Sequence, residues 1–334
     1  MKKLAQGKLP IEVLKPMLHS LTASGLVVAP DIGIDVGVTR TKGRFLVSSS
    51  DPITGVVDRI GWYAVNVSAN DVATSGIPPD TLNIVALFPD GTSERDIGKI
   101  MREINETADS LGIAVAGGHT EITPKLDRII VVVTAIGSGD KYVTSGDSKQ
   151  HDSLLLTKTA GIEGTSILAK LPSIAKQLEP STQRTAKNLI QKLSIMKESR
   201  IAFKTGKVHA MHDVTEGGVL GSAVEMSMAA KLGVGLYREK IPIDPTTREI
   251  CEKLRIDPLR LIGSGSLLIA CKATDSKLII SELQAVDIPC TEIGEFLPSA
   301  EERWLESRGK KETLSAKSIQ DELWPTLRKY GDLS

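Results

Sequence analysis

The sequence predicts an α+β protein of two domains, in which strands and helices alternate much as they do in α/β folds. Apolar runs of strand length alternate with stretches of helical periodicity along the chain. The spacings are short in the first half, which favours a mixed sheet over a doubly wound parallel one. A chain of 334 residues is also too long for one ordinary hydrophobic core.

The clearest element of the first half is a helix at 93–112. Ser93 can cap its first turn, and Gly112 can end its last turn in a left-handed conformation. One apolar stripe runs along this helix, formed by Ile97, Ile100, Met101, Ile104, Ala108 and Leu111. The other predicted elements are strands at 44–52, 81–89, 113–116 and 128–139 and a helix at 59–76.

A polar, glycine-rich stretch at 137–153 is the best boundary in the chain, and it predicts domains at 1–145 and 146–334. The alternation resumes after it. Strands are predicted at 207–214 and 265–273, helices at 183–195, 215–233 and 275–286, and a strand, loop and helix within 154–171.

Composition excludes several functional classes. Lys plus Arg equals Asp plus Glu, 41 against 41, and aromatic residues are only 3%, so binding to nucleic acid is disfavoured. The longest apolar stretch, 129–136, is too short to span a membrane, and residues 1–10 lack the apolar core of a signal peptide. The scattered Cys251, Cys271 and Cys290 indicate buried thiols in a reducing compartment, so we expect a cytoplasmic protein.

Common catalytic motifs are absent from the sequence. It contains no GxxxxGK[ST] phosphate loop, no GxGxxG after a strand, no GxSxG elbow and no HExxH. A nucleotide, if one binds, therefore needs a less common site.

Four aspartates lie at positions where a purely structural role is unusual: Asp35, Asp51, Asp71 and Asp213. Each can be explained singly, as a turn residue, an exposed polar position or a strand end. Carboxylates gathered in a partly buried cleft would repel one another and would need a cation, for which Mg²⁺ is suited. The sequence alone does not show that they meet.

Two glycine pairs raise a similar choice. Gly117 and Gly118 follow the predicted strand 113–116 and precede three polar residues, which indicates either a turn or a ligand site. Gly217 and Gly218 open a predicted helix with Thr215 as its N-cap. Their N–H groups would be free to bind an anion, and close helix–strand packing is the alternative explanation of the glycines.

Seven ordered motifs resemble the superfamily of aminoimidazole ribonucleotide (AIR) synthase, which includes selenophosphate synthetase, thiamine-monophosphate kinase and HypE. The resemblance runs from about Asp31 to about Ile293, and the chain is most like the HypE-like members that act in hydrogenase maturation. The motifs are GIDVGV (33–38), SSDPITG (49–55), NVSANDVATSGIPP (66–79), GGHTEIT (117–123), GIEGT (161–165), HDVTEGG (212–218) and DPLRLIGSGSLLI (257–269).

The resemblance implies a two-domain PurM-like fold. Its N-terminal domain is a mixed sheet with helices that binds ATP and Mg²⁺ and forms a homodimer, and its C-terminal domain is an α/β sandwich. The Mg²⁺ positions correspond to Asp35, Asp51 and Asp71. Nucleotide positions facing one cleft correspond to Asn70, Gly117, Gly118, Thr120, Asp213, Thr215, Gly217 and Gly218.

The implied activity is that of an ATP-dependent ligase or phosphotransferase acting on an unidentified small substrate. The γ-phosphoryl group would pass to an amide-type or phosphate oxygen, with His119 or Glu121 as proton carrier; phosphate binding is an equal alternative for His119. HypE carries its substrate on a C-terminal cysteine, and the last cysteine here is Cys290; Ile34 also stands where many relatives have an acid. There are therefore two alternatives. One is a nucleotide-binding maturation or scaffold protein that acts with a partner, and the other is a thiamine-monophosphate-kinase-like enzyme.

Overall fold

The computed structural model describes residues 11–20, 25–54, 58–315 and 319–330. Residues 1–10, where the sequence predicts no signal peptide, and Gly55, the last residue of the motif at 49–55, lie outside the described residues.

The chain divides into two compact units. We call residues 25–29 and 35–142 the N-terminal unit. The C-terminal unit holds residues 11–20, 30–34 and 143–330, and includes the first helix, α1 (Ile11–His19).

A six-stranded mixed sheet forms the N-terminal unit, in the order β1-β2-β3-β6-β4-β5. Strands β4 and β5 are parallel and the other neighbouring pairs are antiparallel, as the short spacings predict. The strands are β1 (Leu26–Val28), β2 (Gly37–Thr41), β3 (Arg44–Ile53), β4 (Thr81–Phe88), β5 (Ala114–Ile122) and β6 (Ile130–Gly139).

Two helices, α2 (Ile60–Thr74) and α3 (Glu94–Leu111), complete this unit. Alternation along β6 buries Val131, Val133 and Ala135 on one face, and α2 packs on β3 and β6 while α3 packs on α2. The predicted helix at 93–112 is confirmed at both ends. The Ser93 side chain accepts the Asp96 N–H, and Gly112 ends the helix with a φ of 71°.

A seven-stranded mixed sheet forms the C-terminal unit, in the order β13-β12-β9-β11-β7-β10-β8. Its strands are β7 (Asp152–Thr157), β8 (Val208–Asp213), β9 (Gly233–Tyr237), β10 (Leu267–Lys272), β11 (Cys290–Leu297), β12 (Arg303–Ser307) and β13 (Lys310–Thr313). Its further helices are α4 (Ile162–Leu168), α5 (Pro172–Ala175), α6 (Pro180–Asn188), α7 (Met196–Lys204), α8 (Gly218–Ala229), α9 (Pro245–Leu254), α10 (Ser276–Gln284) and α11 (Leu323–Tyr330).

The core of the C-terminal unit lies between this sheet and α8, which is buried along most of its length. Val219, Ala223 and Met226 of α8 pack with Leu154 of β7 and Leu268 of β10. This arrangement places the start of α8 at the end of β8, where the sequence placed a candidate site. Within the described ranges, no helix is long and apolar enough to cross a lipid bilayer.

Candidate functional site

Two of the predicted metal-binding aspartates contact the same serine hydroxyl in the N-terminal unit. The hydroxyl of Ser49 lies 2.8 Å from Oδ2 of Asp71 and 3.2 Å from Oδ2 of Asp51. Asp51 is near the end of β3 and Asp71 is in the last turn of α2, and both residues are half-buried. Two carboxylates separated by 20 positions in the sequence therefore converge on one hydroxyl group.

The packing of α2 on the sheet explains this convergence. Ser68 of α2 donates a hydrogen bond to the Val133 carbonyl of β6 at 3.0 Å, which fixes the helix over the centre of the sheet. Ser49 and Asp51 are two residues apart on β3 and so share one face. Ser50 lies on the other face, where its hydroxyl bonds Thr134 of β6.

The remaining acidic-site residues of this unit are less closely gathered. Asp35 is half-buried and precedes the buried Val36, just before β2 begins. Asn70 is fully buried on α2 beside Asp71. Among the described residues of the N-terminal unit taken alone, no three His, Cys, Asp or Glu side chains bring ligand atoms within 4.8 Å of one another. The unit thus brings Asp51 and Asp71 to one hydroxyl group, while Asp35 precedes β2, the strand that neighbours β3.

His119 and Glu121 form a hydrogen-bonded pair on β5. Nε2 of His119 lies 2.9 Å from Oε2 of Glu121, and the Thr123 hydroxyl donates to Oε1 of Glu121 at 2.8 Å. These bonds, the one from His119 first, lower the pKa of Glu121 below its ordinary value. Thr120 lies on the opposite face of the strand. The contact from Thr123 was not anticipated from the sequence.

Of the two interpretations of Gly117 and Gly118, the turn is wrong, because residues 117–121 continue strand β5. Gly117 to Ile122 pair in parallel with Asn83 to Phe88 of β4. Gly118 has a φ of 153°, and a Cβ there would collide with the Ile84 carbonyl, so this glycine allows the close approach of β4. Strand β5 is also three strands from β3, which is about 14 Å at the usual strand spacing.

The structure also corrects the start of α8. Thr215 is not the N-cap: that position belongs to Gly217, whose φ of 88° delays the helix until Gly218. A Cβ on Gly218 would lie 2.5 Å from the Leu259 carbonyl, so close packing accounts for this glycine. Asp213, at the end of β8, is buried with 1% of its surface exposed.

The N–H groups of the two glycines are not free, contrary to the prediction. Gly217 donates to the carboxylate of Asp321 at 2.7 Å, and Gly218 donates to the Thr215 carbonyl at 3.1 Å. The hydrogen-bond acceptor at this helix terminus is thus a side chain of the protein itself. Nothing in the sequence around Asp321 indicated this contact.

Two buried carboxyl groups in the C-terminal unit were missed by the sequence analysis. Burial raises the pKa of Glu163, in the GIEGT motif, to about 7, although Ser264 donates to it. Burial likewise raises the pKa of Asp321 to about 7, opposed by the N–H groups of Gly217 and Leu323. An acidic residue directly between Ile162 and Gly164 was the available signal for Glu163.

Residues 33–138 match the N-terminal domain of the AIR synthase related proteins, and residues 149–304 match the C-terminal domain of the same family. Carbamoyl dehydratase HypE of Cupriavidus necator is 26% identical to this chain over 229 residues, which make up 67% of this chain and 63% of that protein. The chain therefore spans slightly less than two thirds of the length of this relative.

Two solved structures share the fold. Hydrogenase maturation protein HypE in complex with ATP superposes with a TM-score of 0.72 at 20% identity, covering 93% of this chain and 92% of that one. ThiL complexed with AMPPCP and TMP gives a TM-score of 0.73 at 18% identity, covering 91% and 94%. With both domains matched over more than half of its length, the chain belongs to the family of AIR synthase related proteins and has the PurM-like α+β fold predicted from its sequence.

Proposed function

We propose that this protein is an ATP- and Mg²⁺-dependent enzyme that activates a small substrate by phosphoryl transfer to an amide-type or phosphate oxygen. The observation that carries the proposal is the convergence of Asp51 and Asp71 on Ser49. Membership of the AIR synthase related family supports it, as do a relative named carbamoyl dehydratase and a structural neighbour bound to ATP.

Asp51 and Asp71 fit a magnesium ion, because carboxylate oxygens are hard ligands and two facing carboxylates need a cation. We propose that these two residues and Asp35 hold Mg²⁺, with Asn70 beside them at the nucleotide. When bound, Mg²⁺ neutralises charge on the triphosphate. The protein positions the ligands of the ion, because α2 and β3 hold the carboxylates where the phosphates would lie.

Transfer to an amide oxygen requires a proton acceptor. The reaction forms a bond from the amide oxygen to the γ-phosphorus, breaks the bond to the leaving ADP and removes a proton from the amide nitrogen. We propose that His119 takes this proton at Nδ1, since Nε2 is bonded to Glu121. Because β5 lies about 14 Å from β3 in one copy, His119 and Glu121 would act on the nucleotide of a second copy in a homodimer.

The other nucleotide contacts stay proposals. They are Gly117, Gly118 and Thr120 on β5 and Asp213, Thr215, Gly217 and Gly218 at the start of α8. A phosphate oxygen at Gly217 would replace Asp321 as the acceptor of its N–H group. The division into domains 1–145 and 146–334 and the cytoplasmic location also stay predictions.

Calorimetry with a non-hydrolysable ATP analogue tests the proposal. We expect the wild-type protein to bind the analogue in the presence of Mg²⁺, and Asp71→Ala to lose at least tenfold in affinity. ADP release would then be followed with amide-containing substrates and with thiamine monophosphate. If the affinity for the analogue is the same without Mg²⁺ and in Asp71→Ala, the proposal is overturned. If ADP is released only with thiamine monophosphate, the amide acceptor is overturned.

A further inference from the structure

We infer that the solvent-facing side of α3 holds a binding site for a small polyanion of the phosphate class. A cavity of about 450 Å³ lies there, lined by three cationic side chains, Arg95, Lys99 and Arg102, together with Ser93 and Asp96. The site is independent of the proposed function, because none of these residues belongs to the proposed nucleotide or metal site.

The three cations lie on the side of α3 that faces away from the rest of the unit. They are spaced four and three residues apart, so the helical repeat places them on one face. All three are exposed. The buried residues of the helix, Ile100 and Ile104 among them, lie on the opposite face, which packs on α2. The cations are therefore accessible to a dissolved ligand.

The protein leaves most of this positive charge without a counter-charge. Within the part of the chain that the structure describes, Arg95 and Arg102 form no ion pair, although Glu106 follows Arg102 by four residues. Lys99 has only a 3.8 Å contact with Glu103. Two guanidinium groups and one weakly paired ammonium group thus surround the same cavity.

The stability of α3 does not explain this cluster. Like charges three and four residues apart destabilise a helix, and a cation in its first turn, such as Arg95, is unfavourable beside the helix dipole. Asp96 is the single carboxylate that lines the cavity, and it accepts the Ser93 hydroxyl at 2.6 Å. One carboxylate cannot neutralise three cations, whereas a bound polyanion would offset their repulsion.

Gly98 lies among the cations, and neither its backbone nor its packing requires a glycine. Its φ is not left-handed, and a Cβ there would lie 3.5 Å from Nη1 of Arg102, an ordinary contact distance. Glycine is also less favourable than alanine inside a helix. Because helical side chains lean toward the N-terminus, the Arg102 guanidinium lies over this glycine. The missing side chain keeps space open between Arg95 and Arg102.

The chemistry of the lining favours a phosphate group. An arginine fork donates two parallel hydrogen bonds to phosphate oxygens, and a lysine adds a point charge. Three cations against one carboxylate match a multiply charged phosphate or diphosphate better than a single carboxylate. The cavity also has the size of a small-molecule site. The occupant is therefore a phosphorylated small molecule, and an acidic peptide is the alternative that the experiment tests.

Isothermal titration calorimetry of the full chain with inorganic pyrophosphate tests the site. EDTA excludes the proposed Mg²⁺-dependent site, and about 0.1 M NaCl screens exposed charges beyond about 10 Å. Arg95→Ala combined with Arg102→Ala should lower the affinity by at least about tenfold. Gly98→Leu should lower it as much without a change in charge, because leucine fills the space. Arg184→Ala combined with Lys277→Ala, which removes exposed cations from α6 and α10, should stay within about twofold of wild type.

Urea unfolding of each variant checks that it is folded, and Gly98→Leu should be at least as stable as wild type because leucine is a better helix former. The inference is overturned if wild type does not bind pyrophosphate, if Gly98→Leu binds it like wild type, or if the double arginine variant loses no more affinity than the control. Tighter binding of a hexaglutamate peptide than of pyrophosphate would assign the face to an acidic protein partner and would also overturn it. None of these results bears on the proposed nucleotide site, which is measured separately with Mg²⁺ present.

Discussion

Lys158, at the end of β7, shows how a single charged residue can organise a loop. Its ammonium group donates to the carbonyls of Lys192, Ser194 and Gly265 and lies 2.6 Å from the carboxylate of Glu198. Burial lowers the pKa of Lys158, and Glu198 opposes this effect. Lys158 therefore connects the end of β7 to α7 through Glu198 and to the glycine-rich stretch through the Gly265 carbonyl.

We predict that Glu198→Gln lowers the free energy of unfolding by about 3–5 kcal/mol, because it leaves the buried ammonium without its counter-charge. Lys207→Ala, which removes the more exposed pair with Asp275, should cost at most about 1 kcal/mol. Urea denaturation followed by circular dichroism measures both. Equal losses in the two variants would show that the buried pair contributes no more than a surface pair.

At the scale of elements, one carboxylate joins two helices. Asp321 accepts the N–H of Gly217 at the start of α8 and the N–H of Leu323 at the start of α11, each at 2.7 Å. A negative charge is favourable at both helix N-termini. Burial works against it and raises the pKa of Asp321 to about 7, with Glu216 and Glu163 adding to the effect. The hydrogen bonds that join the two helices therefore depend on the protonation state of the Asp321 carboxyl group.

We predict that Asp321→Asn makes stability less dependent on pH. A carboxyl group whose pKa is raised on folding stabilises most fully below its unfolded value, near pH 4, and this contribution is lost as the pH rises through about 7. The wild-type protein should therefore lose about 1 kcal/mol per pH unit for this group between pH 5 and 7, because the slope falls as the pH approaches the folded pKa. The variant should gain stability relative to wild type over that interval.

Urea unfolding at pH 5, 6 and 7 measures the effect, with Asp244→Asn as the control. Asp244 is also a capping carboxylate, since it accepts the Thr246 N–H at the start of α9. Glu163, whose pKa is also raised to about 7, adds its own pH dependence in every variant. Curves of Asp321→Asn that run parallel to wild type would contradict the assignment.

At the scale of the whole molecule, β5 leaves an edge of the N-terminal sheet uncovered. All nine residues of the strand are exposed, including Val115 and Ile122, and the exposed Val85 lies beside it on β4. An exposed, partly apolar edge strand is a typical surface for pairing with another chain. It supports the proposed homodimer, in which the separated groups of β3 and β5 would serve one site.

We predict that Val115→Lys combined with Ile122→Lys converts a dimer into a monomer, because two charges would be buried without partners. Light scattering coupled to size-exclusion chromatography measures the mass. Leu278→Lys on α10 is the matched control, since Leu278 is 43% exposed against 42% and 44% for Val115 and Ile122. A wild-type monomer, or a dimer that persists in the double variant, would rule out pairing along β5.

Local signals predicted much of the secondary structure. The apolar stripe of α3, its Ser93 cap and the Gly112 terminus are properties of neighbouring residues, so both helix ends were predicted correctly. The ordered motifs predicted the family. The predicted end of a strand at Ala116 is wrong because the two glycines and the polar residues 119–121 that follow it suit an exposed edge strand as well as a turn.

The sequence by itself determined the alternation of strands and helices, the two-domain α+β fold and the set of aspartates suited to a cation, because periodicity, capping and residue chemistry are local. Tertiary structure alone decided that Ser49 joins Asp51 to Asp71 and that Asp321 takes the N–H group of Gly217. These contacts depend on how a helix packs on a sheet and on where a distant segment of the chain returns. A linear pattern contains no information about such distances.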